Sequence, residues 1–177
     1  TLSQSIGVIM GANIGTTVTA APGYPELAVK NLAELTGIDF KNSEDLIAAT
    51  SDCGAYMTLS SAIKGLAVKM TKVCNDIRLL ASGPRCGLKE IILPQLQPGS
   101  SIMPGKVNPV AAEVANQASF LAIGLDTTVM LAASAGQLEL NVMEPVITYA
   151  LYTQMKVMTN ACDTLRKKLV EGVTANT

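Results

Sequence analysis

Residues 99–109 read Gly99-Ser100-Ser101-Ile102-Met103-Pro104-Gly105-Lys106-Val107-Asn108-Pro109. They offer two hydroxyls, one fixed positive charge, one amide and several glycine-freed backbone N–H groups, a set suited to holding an anion. Lys106 and Asn108 together can clamp a carboxylate. A phosphate-binding P-loop is the first rival, but five residues rather than four separate Gly99 from Gly105, and Val107 stands where a metal-binding hydroxyl belongs. The plainer alternative is a connector in which Ser100 and Ser101 satisfy turn N–H groups, Lys106 is a solvated cation and Asn108 caps the helix beyond Pro109. Residue types alone leave both assignments open.

The elements that must carry this loop are helical. Five prolines and four glycines fall within residues 83–109 and rule out a continuous regular element, although 88–94 can run extended. A loop of that length in a helical protein is usually functional or disordered. Upstream, Pro25 opens a short amphipathic helix with Leu27, Ala28, Leu32 and Leu35 at helical spacing, and Gly37 closes it. Asn42 or Ser43 can cap the next element, with Glu44 and Asp45 in its first turn. The next proline-free stretch, 51–82, predicts a helix about 48 Å long at about 1.5 Å per residue. Two more long helices are expected over 110–135 and 145–170, the last ending in the basic turn Arg166-Lys167-Lys168. Along 110–135 apolar residues occupy nearly every angle, including Val114, Phe120, Leu121, Ile123, Val129, Met130 and Leu131, a pattern that predicts burial on all sides, with neighbouring subunits as the cover. The fold class is all-α, a long-helix bundle with one long loop at about 94–109, and nothing splits the 177 residues into separate domains.

Composition narrows the partners. Apolar residues make up 49% of the chain, charged residues 15%, and the formal charge is −1, so neither nucleic acid nor an anionic membrane is expected to bind. Asp126, Thr127 and Thr128 interrupt the most apolar window, 118–135, which therefore reads as a buried helix and not a membrane span. The chain starts without Met or a secretory pattern, and the expectation is an internal piece of a cytoplasmic protein. Cys53, Cys74, Cys86 and Cys162 are widely spaced and there is no histidine, so reduced core thiols are expected, with no metal site and no cofactor.

The literal string at 99–109 resembles, over its whole length, the signature of the fumarase/aspartase superfamily. Further similarity lies at Ala49-Thr50-Ser51-Asp52-Cys53-Gly54-Ala55-Tyr56, at Val110, Glu113-Val114 and Asn116-Gln117, at Gly136-Gln137-Leu138 and at Asn141-Val142-Met143-Glu144-Pro145. These positions are similar to the aspartase branch. The resemblance implies the central helical domain of a homotetrameric carbon–nitrogen lyase, with the N-terminal and C-terminal parts absent, that eliminates ammonia from L-aspartate to give fumarate. It assigns Ser100 as the general base, Lys106 and Asn108 to a substrate carboxylate, Met103 and Ser101 to the pocket, and Glu113 to orienting a group from another segment. The 177 residues alone are expected to be inactive, because the groups for the second carboxylate and the amine lie elsewhere. Fumarase-type hydration of fumarate to malate is the nearest enzymatic alternative, and a non-catalytic helical assembly module the alternative from another class. One departure stands out: at Gly15-Thr16-Thr17-Val18-Thr19 the family commonly has glycine and asparagine where this chain has Thr17 and Thr19.

Overall fold

Two glycines in the left-handed region bound the first helix, α1 (Tyr24–Thr36): Gly23 at φ 81 precedes it and Gly37 at φ 71 closes it, donating its N–H to the Ala33 carbonyl. Pro25 stands in the first turn, where its missing N–H costs nothing. The expected apolar face is only partly covered: Ala28 and Leu32 are half-buried, whereas Leu27 and Leu35 are exposed, and α1 buries no residue fully. The computed structural model describes residues 17, 20–83, 85–99, 102–103 and 105–177.

The helix expected over 51–82 starts three residues later, at Gly54, after a separate short helix that ends at Ser51. In α2 (Leu46–Ser51) the cap is Asp45, not Asn42 or Ser43: its Oδ1 accepts from the N–H groups of Ile47 and Ala48, each at 2.9 Å. Asp52 then leaves the helical region, and its own carboxylate accepts the Gly54 N–H at 3.0 Å. A side chain that offers the backbone an alternative partner favours a break over a continued helix. The next helix is α3 (Gly54–Leu80). Its 27 residues span about 40 Å at about 1.5 Å each, shorter than the sequence pattern suggests.

α4 (Val110–Ser134) and α5 (Glu144–Lys168) match the two remaining predicted helices closely. The expectation that α4 is buried all round does not hold within this chain. Its buried face is mostly small residues: Ala111, Ala112, Ala115, Ser119, Ala122 and Ala132 are covered, with Asn116, Asp126 and Val129, whereas Val114, Phe120, Leu121 and Leu131 are exposed. Small residues let helix backbones approach, so the chain's few helices cover this stripe together with Val129, leave Ile123 half-buried, and leave Val114, Phe120, Leu121, Met130 and Leu131 outside. By length and hydropathy alone α4 would qualify as a membrane span, yet it carries the ion-paired Asp126.

The chain divides into two units. In the unit formed by Ser60–Thr127 and Tyr149–Thr177, Ala67, Met70 and Cys74 of α3 pack with the small stripe of α4 and with Met158 and Ala161 of α5. A polar layer crosses this core. Ser60 Oγ donates to Asp126 Oδ1 at 2.7 Å, Lys64 pairs with the other carboxylate oxygen, and Gln154 Nε2 donates to the Ala122 carbonyl at 2.9 Å. Burial would raise the Asp126 pKa, but the hydrogen bonds from Lys64 and Ser60 and the Lys64 charge carry it below the usual carboxylate range.

The other unit comprises Thr1–Leu59 and Thr128–Thr148, and its described part is organised around Asn141, which is 2% exposed. Asn141 Nδ2 donates to the Ala132 and Ala133 carbonyls at 3.0 and 3.1 Å, its Oδ1 accepts the Met143 N–H at 2.9 Å, and its backbone N–H donates to Thr50 at 3.3 Å. One side chain thus satisfies the end of α4 and the approach to α5. Of the four cysteines expected in a core, Cys53 and Cys74 are buried, while Cys86 and Cys162 are exposed because they fall in an open bend and on an outer face of α5.

Candidate functional site

Helix α3 stops where Ser82 takes over its last turn. The Ser82 hydroxyl donates to the Leu79 carbonyl at 2.6 Å and accepts the Leu88 N–H at 3.2 Å. The chain doubles back, so that Lys89 N–H reaches the Ser82 carbonyl at 2.8 Å and Glu90 N–H the Leu80 carbonyl at 2.9 Å. Gly87 is required here, because a Cβ would stand 2.6 Å from the Gly83 nitrogen. Lys89 adopts φ 48, an uncommon state for a residue with a side chain.

Part of the stretch expected to be extended forms a short strand, β1 (Ile91–Ile92), antiparallel to β2 (Thr174–Ala175), with Ile91 opposite Ala175 and Ile92 opposite Thr174. Leu93 then enters the core. Further on, Gly99 lies against the backbone of Lys106: a Cβ at Gly99 would overlap the Lys106 carbonyl oxygen, so glycine is what lets the two flanks of the loop meet. Lys106 N–H closes a turn onto the Met103 carbonyl at 3.2 Å, with Gly105 in the left-handed region at φ 82, as a type II turn demands at its third position.

Of the candidate residues, Ser100 and Ser101 lie outside the described residues. Lys106 and Asn108 are half-buried, with exposed Val107 between them. Met103 is exposed. Glu113 stands half-buried in the first turn of α4, its N–H donating to the Pro109 carbonyl at 3.0 Å. A carboxylate at that position is favoured by the helix dipole. Cation, amide and acid therefore succeed one another along the loop's exit into α4. Among the described residues no group of three or more His, Cys, Asp or Glu gathers as a metal-holding cluster.

One turn past Glu113 the structure adds a pair not singled out from residue chemistry. Asn116, 3% exposed, donates through Nδ2 to Asn75 Oδ1 at 2.8 Å, and its own Oδ1 is buried without a protein partner. The signal available in the sequence was an amide inside an alanine-rich helical stripe, a composition that packing alone does not call for.

Comparison with known proteins gives consistent results. A family profile described as "Lyase" matches residues 3–124. The aspartate ammonia-lyase of Escherichia coli is 59% identical over 170 residues, covering 96% of this chain and 36% of that protein. This chain therefore spans about a third of the length of the curated relatives it matches. Among solved structures, a fumarate lyase/delta crystallin from Brucella melitensis, bound to cobalt, superposes with a TM-score of 0.89 at 45% identity, over 98% of this chain and 37% of that one. A class II fumarase from Schistosoma mansoni gives 0.85 at 32% identity, over 99% and 41% of the two chains.

Proposed function

The chain belongs to the lyase family within the fumarase/aspartase superfamily, and from that membership we propose that it forms part of an aspartate ammonia-lyase acting on a dicarboxylate substrate. The observation that carries this reading is the 59% identity to a curated aspartate ammonia-lyase, against 32% to a class II fumarase. The match runs over 96% of the chain and so takes in the loop.

The chemistry assigns distinct tasks to the loop. A proton on the carbon beside a carboxylate is weakly acidic, and its removal leaves a doubly negative aci-carboxylate whose charge must be met by donors already in place. Ser100, acting largely as alkoxide, takes that proton. The electron pair left behind collapses into the new carbon–carbon double bond and expels the amine, giving fumarate and ammonia. Lys106 and Asn108 hold the carboxylate on which charge develops, and their half-buried setting strengthens both interactions over what water would allow. Ser101 and Met103 shape the pocket, and Glu113 orients a group from a neighbouring segment.

The remaining parts of the site come from chain outside these 177 residues and from neighbouring subunits of a homotetramer. Support for subunit contacts comes from Val114, Phe120, Leu121 and Leu131 of α4 and Tyr149 and Tyr152 of α5, all exposed on long helices. The test is formation of fumarate and ammonia from L-aspartate by the complete protein, with L-malate as the rival substrate. Ser100→Ala should abolish fumarate formation and leave assembly intact. Turnover of malate but not aspartate would transfer the assignment to fumarase, and full activity in Ser100→Ala would remove the serine from its role. Residues 1–177 alone should release no ammonia from aspartate.

A further inference from the structure

The stretch after α5 reaches both stems of the loop. At the upstream stem β2 pairs with β1, and Asn176 completes the ladder with two bonds: its backbone N–H donates to the Glu90 carbonyl at 3.0 Å and its Nδ2 to the Lys89 carbonyl at 2.9 Å. Gly172 packs so closely on Pro94 that a Cβ would come within 2.7 Å of Pro94 Cγ. At the downstream stem, Lys168 and Leu169 line one cleft with Leu93, Pro94, Asn108 and Val110. Leu169 is buried in the same cluster as Leu93 and Ala111.

Lys89 is where this arrangement holds strain. A left-handed residue with a side chain persists only where its surroundings over-determine it. At Lys89 the peptide planes on both sides are held, the N–H by the Ser82 carbonyl and the C=O by the Asn176 amide. The direction in which the chain leaves Lys89 is the direction in which β1 delivers it toward Gly99. A groove lies directly beside it, with Lys89, Ile91 and Leu93 on one wall and Gly105 and Val107 of the loop on the other.

We infer that Asn176 is a positioning residue for the loop: its side-chain amide holds Lys89 in the left-handed state and so sets the angle of the upstream stem relative to Lys106 and Asn108. This rests on the reading of residues 99–109 as the lyase loop. Without the amide, Lys89 relaxes toward negative φ, the Glu90 peptide turns, and the register of β1 against β2 loosens. The loop flank across the groove shifts with it.

The experiment uses the complete, assembled protein and four variants. Asn176→Asp keeps the shape and removes the donor, Lys89→Gly removes the strain, the two are combined, and Ser100→Ala serves as the control. Asn176→Asp should lower kcat about tenfold, in line with the cost of small misplacements of catalytic groups, and change KM less than about twofold. Amide exchange at residues 90–93 should accelerate while α3, α4 and α5 keep their protection. In the Lys89→Gly background the same substitution should cost less than about threefold in kcat, because glycine holds the left-handed state without help. A purely structural role would reduce the amount of folded enzyme and leave kcat per folded site unchanged. That result, or unaltered exchange at residues 90–93, overturns the inference. Full activity of Ser100→Ala overturns the reading of the loop itself, and the exchange data still decide whether Asn176 holds Lys89.

Discussion

Replacing Asn141 by alanine tests the account of the smaller described core most directly. The side chain is 2% exposed and makes three hydrogen bonds, to the carbonyls of Ala132 and Ala133 and from the N–H of Met143. After truncation the Ala132 carbonyl keeps the Ala135 N–H at 3.2 Å, so the loss falls mainly on the Ala133 carbonyl and the Met143 N–H. Each buried group left unpaired costs about 1–3 kcal/mol, and partial access of water to the helix ends lowers the sum, so Asn141→Ala should cost about 2–4 kcal/mol. For a chain of this size that is a fall of roughly 5–15 °C in Tm. Asn141→Asp separates donor from acceptor. It can still accept from Met143 but aims a carboxylate at two carbonyls, so at pH 7 it should be worse than alanine. It should recover as the pH falls and the new carboxyl is protonated, since the acid form donates one bond. Urea unfolding at pH 7 and at pH 5 measures both effects. A loss under about 0.5 kcal/mol for Asn141→Ala, within the range of ordinary surface changes, would refute the view that this side chain joins α4 to α5.

Three further outcomes are expected. Asp126 has a folded pKa below its unfolded value, so its contribution is complete above the unfolded pKa and disappears as the pH falls through the folded one. Asp126→Asn should therefore destabilise near pH 7 and lose that effect in strong acid, and equal effects at pH 7 and pH 2 would contradict it. Glu144 is shifted the other way by burial, so the folded state is favoured below its unfolded pKa and that advantage fades as the pH rises through the folded value. Glu144→Gln should then stabilise at pH 7 and have little effect near pH 4, as thermal melts at the two pH values will reveal. Thr17, β-branched at φ 56, occupies the left-handed region with its carbonyl accepting the Ala20 N–H at 3.0 Å. Thr17→Gly should raise stability by about 1 kcal/mol, and a measured loss would show that Thr17 is not strained.

The helices are legible in the sequence because their signals are local. Pro25 and Gly37 bracket α1, and the basic turn Arg166-Lys167-Lys168 closes α5, since capping and dihedral preferences act within a turn. The break at Asp52 is not legible. Asp52 and Asp45 have the same side chain, and only the backbone bonds each one captures distinguish an end of α2 from its beginning. The partial burial of α4 escapes the sequence for a different reason. Periodicity reports that a face is apolar but not whether this chain has the helices to cover it, and here the chain covers the alanines and Val129 but not Val114, Phe120, Leu121 or Leu131.

The sequence by itself determined that residues 99–109 bear a cation, an amide and two serines between glycines and prolines, and their resemblance to a lyase loop is the ground on which roles are proposed for them. Those are matters of residue type and order, fixed before folding. Only the tertiary structure decided how the loop is held. Gly99 meets the Lys106 carbonyl, and Asn176, far along the chain, donates its side-chain amide to the carbonyl of left-handed Lys89 at the stem. The physical reason is that a hydrogen bond or a close backbone approach between distant residues depends on where helices deliver them, and no local propensity encodes that meeting.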